Sequence, residues 1–131
     1  MLIQEGKGWR FGVDRRRSPF PVLIGSEHWA AELTLAEARE LRDGALSLAA
    51  ELARLQDRLM EEESISLELE RGQLWLELEA CAGDLALRFV LRGEGQSRGI
   101  EGGWTAGATA AVLALLAQLD PDDETARRAG C

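Results

Sequence analysis

The sequence predicts an α+β fold of two antiparallel β-meanders, each followed by a helix, with the second helix buried on a sheet. Three observations predict it. Apolar and polar residues alternate in three successive segments within 64–91, an uncharged segment of helical length follows at 105–119, and the order of strands and then a helix occurs twice along the chain. The length of 131 residues favours a single domain that spans residues 1–131. We expect residues from about 6 to 119 to be ordered and residues 120–131 to form a polar tail.

Short segments before the first helix predict the first meander. Aromatic residues alternate with small or polar ones at 8–13, which indicates a strand, and three arginines and two prolines at 14–21 indicate a loop, because proline cannot donate to a ladder. A short strand at 22–24, a turn at 25–26 and an extended segment at 27–33 are expected to complete the first set of strands.

A capping box and an apolar stripe predict the first helix. Thr34 and Glu37 have the spacing at which a hydroxyl and a carboxylate satisfy N–H groups at a helix N-terminus, and the acidic run at 61–63 marks its end. Gly44 weakens the helix centre by about 1 kcal/mol relative to alanine. Apolar residues recur at spacings of three and four, namely Ala38, Leu41, Ala45, Leu48, Leu52, Leu55 and Leu59. We interpret this stripe as packing on the protein's own sheet, with a coiled-coil partner as the alternative.

Two-residue turns set the predicted register of the second meander. Turns at Arg71-Gly72 and Ala82-Gly83 would each place the apolar residues of neighbouring strands on one common face. The predicted pairs are Leu69–Leu74, Leu67–Leu76, Ile65–Leu78, Ala80–Leu85, Leu78–Leu87, Glu77–Arg88 and Trp75–Val90. A weaker fourth strand is expected near 97–101. The register predicts that Leu67, Leu76 and Leu87 are buried under the second helix, with Glu68, Trp75 and Arg88 on the opposite face.

Composition and charge narrow the functional classes. The chain is 46% hydrophobic and 29% charged, and its net charge of −8 is uneven, since residues 1–30 carry +2 and residues 31–131 carry −10. The longest uncharged run, 102–119, is shorter than the roughly 20 apolar residues of a membrane span, and no secretory signal is visible. Cys81 and Cys131 have no disulfide framework around them, which favours a reducing cytoplasm. The sequence therefore predicts a cytoplasmic protein that does not act on a membrane.

No residue pattern predicts catalysis, a metal or a cofactor. The single histidine, His28, has no metal-ligand spacing around it, and the acidic cluster near 120–124 lacks the glycine and the spacing of a calcium loop. Ser26 and His28 would share a strand face, but no nucleophile elbow or oxyanion-hole pattern supports nucleophilic catalysis by this pair. The glycines at 93 and 95 flank an acidic Glu94 that would repel phosphate. We therefore expect a protein that is not an enzyme and has no cofactor.

Several short strings, taken in order, resemble a family of small cyanobacterial domains of unknown function. The strings are GWRFG at 8–12, PVLIG at 21–25, WAAELT at 29–34, LMEEE at 59–63, WLEL at 75–78 and EGGW at 101–104, and the likeness covers most of residues 6–119. The resemblance implies a fold similar to the Whirly type of single-stranded-DNA-binding transcriptional regulators, in which two four-strand-plus-helix units pack together. It implies no catalytic residues, because none is assigned to the family.

The most promising binding residues lie on the predicted polar face of the second meander. Trp75, Glu77, Arg88 and Arg92 form a candidate site for a protein partner, because an exposed aromatic residue among charges is typical of interfaces. We expect a non-enzymatic binding or regulatory module that acts through protein–protein contacts with another protein or with itself. Excess apolar surface on the two helices slightly favours a homodimer.

Two alternatives remain. The first is a single-stranded nucleic-acid-binding protein that uses Arg10, Arg15, Arg16 and Arg17. Because the rest of the chain is acidic, we expect no tight binding of nucleic acid at physiological salt, since the binding of strands depends on Lys and Arg neutralising phosphates. The second is a small-ligand-binding protein or an enzyme, which a deep pocket lined by convergent polar groups would favour.

Overall fold

The computed structural model describes residues 2–56, 64–93 and 98–119. It contains eight strands and two helices in these ranges, in the order β1 (Leu2–Gly6), β2 (Trp9–Val13), β3 (Val22–Gly25), β4 (Ala30–Leu33), α1 (Leu35–Gln56), β5 (Ser64–Arg71), β6 (Leu74–Cys81), β7 (Asp84–Leu91), β8 (Ile100–Trp104) and α2 (Ala106–Ala117). The strands form two four-stranded antiparallel sheets, sheet A in the order β1-β2-β3-β4 and sheet B in the order β5-β6-β7-β8. The predicted α+β fold with two meander-plus-helix units is confirmed.

Sheet A contains a strand that the sequence analysis missed. β1 pairs with β2 from Leu2↔Val13 to Gly6↔Trp9, across a turn in which Gly8 has a φ of 82°. Its residues show no clear alternation of apolar and polar side chains, so period two could not reveal it. The neighbouring loop between β2 and β3 is present as predicted and is closed by a hydrogen bond from Asp14 N–H to Pro21 O.

Helix α1 begins with the predicted capping box. The Thr34 N–H donates to Glu37 Oε1 at 2.8 Å, and the Glu37 N–H donates to Thr34 Oγ1 at 3.1 Å. Within the predicted stripe, Ala38, Leu41, Ala45, Leu48 and Leu52 are buried and Leu55 is half-buried. Because α1 contacts β5 and β6, the interpretation of the stripe as packing on the protein's own sheet is confirmed. The predicted end of this helix and Leu59 lie outside the described residues, as does the polar tail at 120–131.

The second helix packs on sheet B as predicted, but the prediction that it covers Leu67 and Leu76 is wrong. A Cβ at Gly44 of α1 would lie 2.5 Å from Leu76 Cδ1, so α1 is the helix that covers β6. Helix α2 packs on β7 and also on β2. Leu76 and Leu87 are fully buried on this face, whereas Leu67 on the edge strand is only half-buried. The core lies between the sheets and the two helices because each helix contacts both sheets.

The register of the first hairpin in sheet B differs from the predicted one by two residues. Leu69 pairs with Leu76, and Leu67 pairs with Leu78, because the turn is formed by Gly72-Gln73 instead of Arg71-Gly72. Gly72 has a φ of 56°, and glycine is favoured at such a turn position. A shift of two residues leaves every side chain on its predicted face, since the side-chain period of a strand is two. The predicted register across Ala82-Gly83 is confirmed, including Glu77↔Arg88 and Trp75↔Val90.

The last strand lies later in the chain than expected. β8 spans Ile100–Trp104 and pairs Leu87 with Trp104, whereas the predicted strand began near residue 97. Glycines at 99, 102 and 103 obscured its boundaries in the sequence. Its inward-facing Trp104 stacks on Phe89 and contacts Trp29 from the β3–β4 turn, with ring centroids 5.6 and 5.3 Å away. The indole N–H of Trp104 donates to Gly25 O at 2.8 Å, which ties sheet B to sheet A.

Candidate functional site

The outward-facing side of sheet B, opposite the two helices, is the candidate site, and we refer to it as the outer face. The register aligns its side chains in rows across the strands. One row runs Glu70, Trp75, Val90 and Glu101, the next runs Glu68, Glu77, Arg88 and Gly103, and a third runs Ser66, Glu79 and Ala86. The predicted placement of Glu68, Trp75 and Arg88 on the face opposite the apolar core is confirmed by these rows.

Trp75 lies near the middle of the outer face and is half-buried. The Arg88 guanidinium sits over its ring at 5.6 Å from the centroid, within the range of a cation–π contact. Arg88 also forms an ion pair with Glu77 at 3.3 Å, and the Ser66 hydroxyl donates to Glu77 Oε2 at 3.2 Å. Three of the four predicted partner-binding residues are therefore in contact on two adjacent strands.

The fourth predicted residue, Arg92, joins the same face at its edge. It forms an ion pair with Glu70 at 3.0 Å, and its backbone N–H donates to Gln73 O at 2.8 Å. Both arginines are exposed and so is Glu70, whereas the Glu77 side chain is only 18% exposed. Exposed ion pairs such as Arg92–Glu70 contribute only about 0–1 kcal/mol to stability. The arginines are therefore available to exchange one carboxylate partner for another.

Glutamates outnumber arginines on the outer face. It carries five glutamates and two arginines, and each arginine already has a glutamate partner. Glu68, Glu79 and Glu101 are exposed and make no hydrogen bond or ion pair in the described part of the chain. The outer face therefore presents negative charge around a central aromatic ring.

Sequence reasoning missed two members of this face. Glu101 was expected at the end of the fourth strand, and its place beside Val90 follows from the later position of β8. Ser66 was not singled out by the sequence analysis, but its hydroxyl donates to the Glu77 carboxylate. The alternation in the strand could have assigned Ser66 to this face, whereas the pairing of Glu101 depends on where the loop before β8 ends.

The outer face has no deep pocket within the described residues. Its depression of about 340 Å³ is lined by Glu68, Leu69, Glu70 and Trp75. A larger cleft of about 380 Å³ lies elsewhere, between sheet A and the end of α2, and Phe11 and Leu115 are among its walls. Within the described ranges, no group of three or more His, Cys, Asp and Glu residues is arranged to hold a metal ion. The outer face is shaped for a broad contact instead of for enclosing a small molecule.

Ser26 and His28 do not form a catalytic pair in the geometry observed. The Ser26 hydroxyl accepts a hydrogen bond from the backbone N–H of His28 at 3.3 Å, and the His28 side chain is exposed. The hydroxyl therefore supports the β3–β4 turn.

The arginines proposed for the nucleic-acid alternative belong to sheet A and contact groups of their own unit. Arg10 donates through Nε to Ser26 O at 2.9 Å and through Nη2 to Trp29 O at 3.0 Å, so it stabilises the β3–β4 turn. Arg17 forms an ion pair with Glu32 at 2.8 Å. Arg15 is exposed in the loop and lines the cleft beside α2.

Arg16 pairs with an acidic residue of the same loop. Its backbone N–H and its Nε donate to Asp14 Oδ1 at 3.0 and 3.2 Å. These two bonds, the side-chain one first, hold the pKa of Asp14 below its ordinary value of 3.8. Part of the positive charge of the loop is therefore offset by a carboxylate that stays ionised.

Comparison with known proteins agrees with the fold. The family model described as a domain of unknown function, DUF1818, matches residues 4–119. The chain belongs to this family. It is also similar to the crystal structure, at 1.80 Å resolution, of a protein of unknown function from the DUF155 family from Prochlorococcus sp. NATL2A. The two are 33% identical with a TM-score of 0.84, over 91% of this chain and 98% of that chain.

The predicted family resemblance is therefore confirmed at the level of a domain family of unknown function. A search of curated proteins found no significant match. None of the helices that the structure describes is both long enough and apolar enough to cross a membrane.

Proposed function

We propose that this DUF1818 domain is a non-enzymatic, cytoplasmic binding module that recognises a protein partner, and that the outer face of sheet B accepts a lysine- and arginine-rich segment of that partner. One observation carries the proposal, namely that Trp75 lies among glutamates of which Glu68, Glu79 and Glu101 have no partner in the described residues. Unpaired carboxylates around an aromatic ring complement a cationic segment in both charge and shape.

Each element of the outer face has a role in this binding mode. Incoming cationic side chains would pair with Glu68, Glu79 and Glu101, and these contacts would steer association. Trp75 supplies the large apolar contact area that is typical of binding hot spots. Arg88 is 61% exposed, so it can leave the ring and let an incoming guanidinium or ammonium group take its place. The ion pair with Glu77 gives Arg88 an alternative partner.

Nucleic acid is the weaker candidate for this surface. The Whirly-like fold that the resemblance implied would bring single-stranded DNA binding with it, but fold alone does not determine function. The outer face is acidic, and a phosphate backbone requires positive charge. Arg10, Arg16 and Arg17 contact carbonyl or carboxylate oxygens of their own unit. We expect any nucleic-acid binding to run through 15–17 and to weaken steeply as salt rises.

Fluorescence anisotropy with three labelled probes tests the proposal. The probes are a peptide of alternating lysine and alanine, a peptide of alternating glutamate and alanine, and a single-stranded thymidine oligonucleotide. In buffer of about 0.15 M salt, we expect the lysine peptide to bind, and we expect no binding of the glutamate peptide or the oligonucleotide. Trp75→Ala should weaken this binding about tenfold or more, as hot-spot truncations do, whereas Trp75→Phe should retain most of it.

Charge variants separate the outer face from general acidity. Glu79→Gln and Glu101→Gln should each weaken binding of the lysine peptide severalfold, whereas Glu27→Gln, a matched change at an exposed position of the β3–β4 turn, should not. Equal effects of all three variants would reject a specific site. Tighter binding of the oligonucleotide than of the lysine peptide would replace the proposal with the nucleic-acid alternative.

A further inference from the structure

Sheet B ends at β5, the longer of its two edge strands, and this edge is unpaired within the described residues. β5 has eight residues and pairs only with β6 in the part of the chain that the structure describes. The other edge strands of the two sheets, β1, β4 and β8, have five, four and five residues. Long edge strands expose a row of backbone N–H and C=O groups that can pair with another strand, and proteins usually shorten or cover them. β5 therefore differs from the other edges.

The inward-facing side chains of β5 are incompletely covered. Ile65, Leu67 and Leu69 point to the core side of sheet B and are each half-buried. Their neighbours in β6, Leu76 and Leu78, are fully buried, and Leu76 lies under Gly44 of α1. The apolar core thus continues to the open edge, where further burial would stabilise it.

We propose that β5 pairs antiparallel with β5 of a second copy of the chain, around a two-fold axis at Leu67, so that two copies of sheet B form one continuous eight-stranded sheet. A two-fold contact of this kind uses the same surface on both copies and closes without forming a filament.

The sequence of β5 is complementary to itself in this register. Leu67 meets Leu67 of the second copy, and Ile65 meets Leu69, which makes a continuous apolar row on the core side. On the outer face Ser66 meets Glu68, and Ser64 meets Glu70, so hydroxyls lie opposite carboxylates. An axis at Glu68 would place two identical carboxylates opposite each other, which is unfavourable.

The backbone of β5 is oriented for the same register. A two-residue turn makes Arg71 and Leu74 a hydrogen-bonded pair, so the odd-numbered residues of β5 bond to β6. The N–H and C=O groups of Ser64, Ser66, Glu68 and Glu70 therefore point to the open edge. With the axis at Leu67, each of these residues meets another whose groups also point outward, and all of them find partners.

Helix α1 also fits on both sides of the axis. It contacts both β5 and β6, so it lies over the space between them. With strands about 4.8 Å apart, that position is about one strand spacing from the axis, and the two α1 helices would lie about 10 Å apart. This is close to the interaxial distance of packed helices, so neither helix blocks the pairing.

Charge substitutions at Ser66 test both the association and its register. Sedimentation velocity of the full chain over a range of concentrations should show a species of twice 14.3 kDa. Ser66→Lys places an ammonium opposite Glu68 of the second copy twice, and should strengthen the dimer about tenfold, whereas Ser66→Glu should weaken it about tenfold. Both variants lose the same exposed hydrogen bond to Glu77. The same two charges at Ala114, exposed on α2, serve as matched controls and should change nothing.

A cysteine at the proposed axis tests the geometry independently of charge. With Cys81 and Cys131 replaced by serine, Leu67→Cys should form a disulfide-linked dimer under mild oxidation, because two copies of this residue face each other. Ile65→Cys should not, because it meets Leu69. A monomer of 14.3 kDa at all concentrations up to about 1 mM, or equal effects of Ser66→Lys and Ser66→Glu, would overturn the proposal. Thermal unfolding of each variant shows that the monomer fold is intact.

Discussion

The two halves of this protein share an order of elements but not a surface. Each has a four-stranded antiparallel sheet followed by a helix. In the first half, Arg10 and Arg17 contact carbonyl and carboxylate oxygens of that half. In the second half, three strands are eight residues long, and glutamates of the outer face remain without partners in the described residues. The comparison teaches that a repeated topology constrains the core, whereas the binding surface depends on side chains that do not repeat.

The helices of the two halves also differ in the side chains that they expose to solvent. α1 is amphipathic, with charged residues on the face away from its buried stripe. α2 carries no charged residue, and its solvent side consists of small residues, namely Ala106, Gly107, Ala110, Ala114 and Ala117. An uncharged helix is thus compatible with partial exposure when the exposed residues are small, so the absence of charge in α2 did not require complete burial.

The largest expected effect concerns the core of the second half. Leu76→Ala removes a fully buried side chain beneath Gly44 of α1, and should lower the free energy of unfolding by about 2–5 kcal/mol. Glu79→Ala changes an exposed side chain on the outer face, and should change the free energy of unfolding by about 0.5 kcal/mol or less. Chemical denaturation of both variants measures the difference. Similar losses of unfolding free energy in the two variants would show that the outer face contributes to stability as much as the core face does.

The next effect concerns the junction between the halves. Trp104→Phe removes the indole N–H that bonds to Gly25 O and leaves a buried carbonyl without that partner, which should cost about 1–3 kcal/mol. Trp75→Phe makes the same change on the outer face, where the indole makes no hydrogen bond to any described residue, and should have a smaller effect. Thermal unfolding followed by circular dichroism compares them. If Trp75→Phe were the more destabilising change, the junction would not hold the halves together as described.

The smallest effect concerns the loop of the first half and depends on pH. The folded pKa of Asp14 is lowered by the hydrogen bonds from Arg16, so its carboxylate stabilises the fold above its ordinary pKa of 3.8. This contribution is lost as the pH falls through the folded pKa. Asp14→Asn should therefore lower the melting temperature slightly at pH 7, and this difference from the native chain should shrink as the pH falls. A difference between the two chains that grows as the pH falls would contradict this assignment.

Local patterns predicted most of the fold. Alternation placed Trp75, Leu76 and Glu77 on their observed faces, and the spacing of Thr34 and Glu37 predicted a capping box that both of its hydrogen bonds confirm. The candidate site residues Trp75, Glu77 and Arg88 could be grouped because one turn determines their pairing. Glu101 could not be added, because its row depends on a glycine-rich loop whose end has no periodic signal.

The sequence by itself determined which side chains share a face, because the period of a strand and the spacing of a helix depend only on the local backbone. Only the tertiary structure decided which helix covers which strand, that Gly72 begins the first turn of sheet B, and that Trp104 donates across to Gly25. The helix packing and the Trp104 hydrogen bond depend on contacts between residues far apart in the chain. The position of the turn stayed open because two turns one residue apart satisfy the same alternation in sheet B. Several arrangements satisfy the same local pattern, and the one adopted is the one in which α1, α2 and both sheets bury their apolar faces together.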